Sequence, residues 1–391
     1  MNKTANPSAL RVKGYLLRQT KKYRPLQKLI EQQPMLRTMD QLYDCFYEYS
    51  RGLMFAKPAN PLVPLEKRAG STSDLQVILP LGTDASSRLK MADSTGNVRL
   101  GRLLESIDIV APCCCYMLNR EDPSTKWFEN GTLPRMLVTS RIHPVSLTNA
   151  YRISPYHDIF LNGKVTWTSE YQSEATVSVK QNGCTMLTAK LLFASLNATN
   201  IKEKCPVNQL KPTTSYETEL FHRRTIANTT KPPAPQLTAM EKPIVKDGEI
   251  AMSATALTTT TIAYPEHENP YGSVFGGYLV RQGIESAEMC AKLFAKADVT
   301  AVSLDNAEFL KVIEIGSILR FNAYICNVKN NYVNVCSQAE VFNERTQQFE
   351  FCDRFLFTFE TNNNNKLPRV VPHNMQEFVA QWRSQNIAKA N

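Results

Sequence analysis

An acid at the edge of an apolar stripe, an asparagine in a turn and a pair of glycines opening a helix are the groups best placed for chemistry in this 391-residue chain. The acid is Asp108. It follows Leu104 by four positions, so at about 100° per residue it lies roughly 40° round the helix from that leucine. Glu105 falls further round, towards solvent. A carboxylate at the border of a core is costly unless it is hydrogen-bonded or used. Partial burial raises its pKa and suits it to activating water near neutral pH. The structural alternative is that Asp108 caps a loop or pairs with Arg102. Asn269, followed by Pro270, Tyr271 and Gly272, either closes an Asx turn or holds a water or a substrate carbonyl. Gly276 and Gly277 permit close backbone approach at a helix N-terminus, where free N–H groups can stabilise an oxyanion.

No other catalytic signature competes. GxSxG, HExxH and a phosphate loop ending in GK[ST] are all missing from the sequence. GSVFGG at 272–277 lacks the spacing of a dinucleotide turn. His143, His157, His222, His267 and His373 are scattered without ligand spacing, so no metal is expected. The ten cysteines form no CxxC pair, and Cys113, Cys114 and Cys115 are consecutive. They read as small core residues in a reducing compartment.

The elements that must position these groups occur twice. DSTGNVRLGRLLESID at 93–108 and NPYGSVFGGYLVRQGI at 269–284 align at a constant offset, with Asp93 facing Asn269, Gly96 facing Gly272 and Gly101 facing Gly277. Asp108 faces Ile284. Each copy is a polar residue, a glycine turn and the start of an amphipathic helix. Strand-like runs follow at 136–142, 158–168, 174–180 and 184–193, and again at 302–310, 317–328, 331–341 and 349–359; LQVILPLG (75–82) and ALTTTTIAY (256–264) precede the motifs. Other α+β sheets fit the same string, but the duplication makes the best reading an α+β chain of two tandem hotdog domains, each a long central helix wrapped by an antiparallel sheet, forming an intrachain pseudo-dimer. The expected divisions are a basic leader and linker over 1–74, a first domain over 75–196, a linker over 197–250, a second domain over 251–362 and a tail over 363–391. A short helix is expected around Glu217–Arg224 and a peripheral one in 373–391. Asn269 with Asp108 is the only pairing of loop and helix that has both parts, so the active combination crosses between the domains.

The net charge of +9 is concentrated at one end. Residues 1–40 hold nine Lys/Arg against Glu31 and Asp40, which leaves 36 basic and 34 acidic residues elsewhere. A basic leader on a near-neutral body resembles a mitochondrial transit peptide, or else a basic surface helix, and argues against a nucleic-acid binder. No stretch reaches the roughly 18 apolar residues of a membrane span.

With these residues in view, the chain resembles the tandem-hotdog acyl-coenzyme A thioesterases of the animal mitochondrial group. The likeness covers most of residues 73–360 and rests on LPLGTD (79–84), NVRLGRLLESID (97–108), NGKVTW (162–167), PEHENPYGSVFGGYLVR (265–281) and VSLDNAEFLKVIEIGS (302–317). The resemblance implies hydrolysis of a fatty acyl-CoA to a free acid and CoA, without cofactor or metal. It implies Asp108 activating water or attacking directly, Asn269 orienting water or thioester, and the Gly277 N–H polarising the carbonyl. CoA phosphates call for cations, and Arg99, Arg102, Arg281, Lys311 and Arg320 are available; Arg281 and Lys311 join Gly272 and Gly276 as substrate-binding candidates. Gly272 stands where relatives carry a larger polar residue, and the CCCY run at 113–116 is placed to reshape an acyl tunnel. The same resemblance implies a mitochondrial matrix address, with the cytoplasm as alternative, and tandem chains assembling into dimers or trimers without membrane insertion. The competing functions are a catalytically silent acyl-CoA-binding scaffold or sensor, and a hydratase or dehydratase, for which His267 is the nearest histidine.

Overall fold

The computed structural model describes residues 36–43, 65–93, 96–119, 135–197, 200–230, 245–269, 271–362 and 367–387. The basic leader, apart from 36–40, and the KPPAP run at 231–235 lie outside them.

In the first half, β1 (Leu36–Thr38), β2 (Lys67–Ala69) and β3 (Leu75–Leu79) precede a short helix α1 (Ala85–Met91) and the long helix α2 (Leu100–Asn119). The antiparallel strands β4 (Arg135–Ile142), β5 (Val145–Ser146), β6 (Ile159–Thr168), β7 (Gln172–Gln181) and β8 (Cys184–Asn197) follow. Next come β9 (Asn200–Lys204), β10 (Gln209–Lys211) and the helix α3 (Ser215–Thr229). The second half comprises β11 (Glu249–Ala251), β12 (Leu257–Ile262), the long helix α4 (Gly276–Ala295), β13 (Val299–Phe309), β14 (Ile318–Lys329), β15 (Tyr332–Asn343), β16 (Gln348–Thr361), β17 (Arg369–Val371) and α5 (Met375–Ile387).

One large sheet runs β1-β3-β6-β7-β8-β4-β13-β16-β15-β14-β12. The order β3-β6-β7-β8-β4 is repeated by β12-β14-β15-β16-β13, so the halves meet at β4 and β13. The sheet alternates along β16, where Phe355, Phe357 and Phe359 are fully buried and Arg354, Thr358 and Glu360 are partly exposed; Leu356, buried between the first two, breaks the pattern. That period of two is what a one-sided core demands. Both long helices lie against the apolar face and against each other. Close approach is made by glycine in each half: a Cβ on Gly163 of β6 would meet Cys114 Sγ at 2.6 Å, and one on Gly283 of α4 would meet Phe355 at 2.6 Å. Cys113, Cys114 and Cys115 are fully buried, as small core residues.

The duplication reaches beyond the motif read from sequence. Residues 197–250, expected as linker, contain β9, β10, α3 and β11, and the expected tail contains β17 and α5. Each half ends alike: β10 pairs in parallel with β2 and β17 with β11, and each short strand leads to an outer helix. Both helices begin with the same reciprocal cap. Thr214 Oγ1 accepts from the Glu217 N–H while Glu217 accepts from the Thr213 N–H; Asn374 and Glu377 repeat this with His373. Helix α3 is clamped onto the sheet by Glu174 of β7, fully buried and bound by both ends of the Arg224 guanidinium (2.8 and 2.6 Å) and by Asn228 Nδ2 (2.9 Å). Burial alone would raise that carboxyl, but His143, Arg224 and Asn228 outweigh it and hold it at about 2.

Candidate functional site at the junction of the halves

Among the described residues the two glycine turns share a frame. The bridges Ala92–Val98 and Glu268–Val274 close them, and Gly96 (φ +87°) and Gly272 (φ +80°) occupy the left-handed position that favours glycine. Asp93 Oδ1 accepts from the Asn97 N–H at 2.9 Å, and Asn269 Oδ1 accepts from the Ser273 N–H at 3.1 Å and the Tyr271 N–H at 2.9 Å. The Asx turn is therefore what Asn269's oxygen does. Its Nδ2 has no hydrogen-bond partner among the described residues, and Asn269 lines a cleft of about 620 Å3, open mouth included.

Asp108 lines the same cleft, from the other half. It is 2% exposed. Its Oδ2 accepts from the Gly277 N–H at 2.6 Å and its Oδ1 from the Thr139 hydroxyl at 3.0 Å. Burial pushes the carboxyl up from 3.8 to about 6, while the Gly277 and Thr139 hydrogen bonds restrain the rise. The helices touch almost backbone to backbone here: a Cβ on Gly277 would stand 2.7 Å from Asp108 Cβ and 2.9 Å from Glu105 Cα. At the matching point, a Cβ on Gly101 would meet Arg281 Cγ at 2.8 Å and Ile284 and the Glu285 carboxylate at 3.2 Å; Ile284 holds the position of Asp108, and Glu285 is paired with Arg99 at 2.6 Å. The matching strand position is altered too: Thr139 pairs with Phe193 on β8, whereas Leu304 pairs with Phe357 on β16.

Pro112 lies inside α2, one turn beyond Asp108. Having no N–H, it leaves the Asp108 carbonyl without its helical partner. The cleft wall continues along that face with Tyr116, whose hydroxyl bonds Tyr271 and accepts from the Leu137 N–H at 3.1 Å.

The expected site residues divide. Asp108, Asn269, Gly276 and Lys311 border the cleft; Gly272 and Arg281 do not. Gly277 adjoins it by holding Asp108, so its N–H is engaged by the carboxylate and does not face a substrate carbonyl. Gly272 serves the turn. Arg281 is 4% exposed and pairs with Glu105 at 3.2 Å across the helix seam, which removes it as a phosphate-binding candidate. Glu105, expected towards solvent, is 7% exposed because α4 covers that side of α2, and Arg102 also pairs with it at 3.1 Å. Lys311 is half-exposed and paired with Glu350 at 3.0 Å. His267 stacks on Tyr278 at 3.8 Å, with burial and the charges of Arg281 and Arg102 lowering its pKa to about 4; it does not line the cleft. No motif in the sequence marks Thr139, Pro112 or Tyr271 as cleft residues, and Tyr116 is marked only through the CCCY run at 113–116. The spacing 108, 112, 116 was the available signal for the helical pair. Among the described residues no cluster of His, Cys, Asp and Glu suits a metal, and no helix is long and apolar enough to cross a membrane.

This arrangement is a helix-and-antiparallel-sheet protein of two like halves, with a buried carboxylate on the wall of the cleft where they meet. Its sequence relatives carry names that state a chemistry. The chain is 26% identical over 346 residues to the human protein named acyl-coenzyme A thioesterase 9, mitochondrial, covering 81% of this chain and 76% of that one. It is 26% identical over 339 residues to mouse acyl-coenzyme A thioesterase 10, mitochondrial (78% and 75% covered). A solved structure of an acyl-CoA hydrolase from Staphylococcus aureus, in complex with butyryl coenzyme A, coenzyme A and coenzyme A disulfide, is 22% identical over 36% of this chain and 89% of its own, with a TM-score of 0.34. No protein-family model matches the chain.

Proposed function

We propose that the chain is an acyl-CoA thioesterase, a tandem hotdog pseudo-dimer with one working site, in which Asp108 is the general base. The observation that carries this reading is a buried carboxylate on a cleft wall, gripped by two donors, with its pKa near 6. The names of the sequence relatives supply the thioester. Above that pKa Asp108 is ionised and takes a proton from water as the water oxygen attacks the thioester carbon. The tetrahedral intermediate then expels the CoA sulfur, which receives the proton back from Asp108; the products are a free acid and CoA. The Asn269 Nδ2–H donates to the water or to the thioester oxygen. The Gly276 N–H, a first-turn donor without an intrahelical acceptor, replaces Gly277 as the group that polarises the carbonyl. Lys311 binds a CoA phosphate on leaving Glu350. The halves divide at the linker after α3, and the reading extends to assembly of tandem chains and to the mitochondrial matrix, the organelle being that of the relatives named above.

The test is release of free thiol from acyl-CoA. Wild type should turn over, and Asp108→Asn should fall by about a hundredfold or more, the lower range for a positioned base. Equal rates in the two proteins would remove Asp108 from the chemistry. A wild type that binds acyl-CoA without releasing thiol would instead identify a silent scaffold.

A further inference from the structure

The thioesterase reading leaves the acyl chain undefined, and the cleft bears on it. Asp108, Pro112 and Tyr116 follow at intervals of four on one face of α2, and all three line the cleft. Beyond the carboxylate the walls are apolar: Pro112, Leu137, Phe193 and Val274 offer methylene-compatible surface. Two phenols, Tyr116 and Tyr271, line the same cleft.

Tyr116 is 3% exposed, and its hydroxyl bonds that of Tyr271, which comes from the glycine turn of the other half. The direction of the bonds is fixed by their ends. Leu137 N–H donates to the Tyr116 oxygen (3.1 Å), and the Tyr271 O–H donates to the Arg135 carbonyl (2.8 Å). The Tyr116 O–H must then donate to the Tyr271 oxygen. Each hydroxyl both gives and accepts, so neither ring can swing aside without orphaning buried groups of β4.

We infer that the Tyr116–Tyr271 bar is the end wall of the acyl groove and restricts the substrate to short and medium acyl chains. This rests on the thioesterase reading. The eight residues from Asp108 to Tyr116 advance about 12 Å along the helix. An extended chain gains about 1.2 Å per bond, so the groove holds roughly ten bonds beyond the reacting carbon. Octanoyl fits within that length and palmitoyl overruns it.

The experiment uses the full chain and compares kcat/KM for butyryl-, octanoyl- and palmitoyl-CoA in wild type, Tyr116→Ala and Tyr116→Phe. Wild type should favour octanoyl over palmitoyl by about tenfold or more. Tyr116→Ala should raise the palmitoyl-to-octanoyl ratio by about tenfold, whereas Tyr116→Phe, which keeps the bulk of the ring and loses only the hydroxyl's bonds, should move it by less than Tyr116→Ala does. Should Tyr116→Ala fail to fold, Tyr271→Ala opens the bar from the other side and reads the same ratio. A wild type that cleaves palmitoyl as well as octanoyl, or a folded alanine variant with an unchanged ratio, overturns the end wall while leaving the thioesterase intact. A wild type inactive on all three defeats the thioesterase reading itself.

Discussion

Asp108→Asn should cut turnover by about a hundredfold or more and stabilise the protein, and the second effect has a calculable size. Burial sets the Asp108 carboxyl at about 6, against an ordinary 3.8. Holding it ionised at pH 8 therefore costs roughly two decades of proton affinity, at about 1.4 kcal/mol each, or about 3 kcal/mol. The sign follows from the protons bound. Between pH 3.8 and 6 the folded chain binds more protons than the unfolded one, so stability falls as pH rises through that window, and the full cost remains above it. An asparagine removes the cost without orphaning its neighbours, because its oxygen accepts from the Gly277 N–H and its amide donates to Thr139. The assay is thermal unfolding of both proteins at pH 4.5 and pH 8. The gap should be full at pH 8 and shrink to about a third, roughly 1 kcal/mol, at pH 4.5. A variant no more stable than wild type at pH 8, or a gap indifferent to pH, would refute the argument.

Two further outcomes follow from the same contacts. Thr139→Val takes a donor from Asp108 Oδ1, so the carboxyl should rise further above 6; the acid limb of the pH–rate profile should move to higher pH, with a larger loss at pH 6 than at pH 8. Gly277→Ala places a Cβ 2.7 Å from Asp108 Cβ and 2.9 Å from the Glu105 backbone, which should lower stability by about 1–3 kcal/mol in a denaturation curve and reduce kcat far more than Gly276→Ala does.

The parts of this site visible in sequence are those that repeat. The glycine turns recur because both need a left-handed residue at one point, and Asp108 stands out because its counterpart is Ile284. Thr139 had no such mark: a threonine in a strand is what strand propensity favours anyway. Glu105 was misjudged for a different reason. A single helix's periodicity shows which face is apolar, but α4 covers a polar flank of α2, and the charge there is answered by Arg281 from the other half. The outer helices were foreseen, yet not their equivalence. The parallel pairings that precede them join residues far apart in the chain, and no local pattern announces such a contact.

The seam carries one more consequence. β13 meets β4 only at Ala307–Ile142 and Glu308–Arg141, and β5 only at Ser303–Ser146 and Leu304–Val145. That short junction joins the half that carries Asp108 to the half that carries Gly277. Competence becomes a property of docking within a single polypeptide. Heat or denaturant that parts two still-folded halves separates acid from donor, so catalysis ends at the parting, before either half has melted.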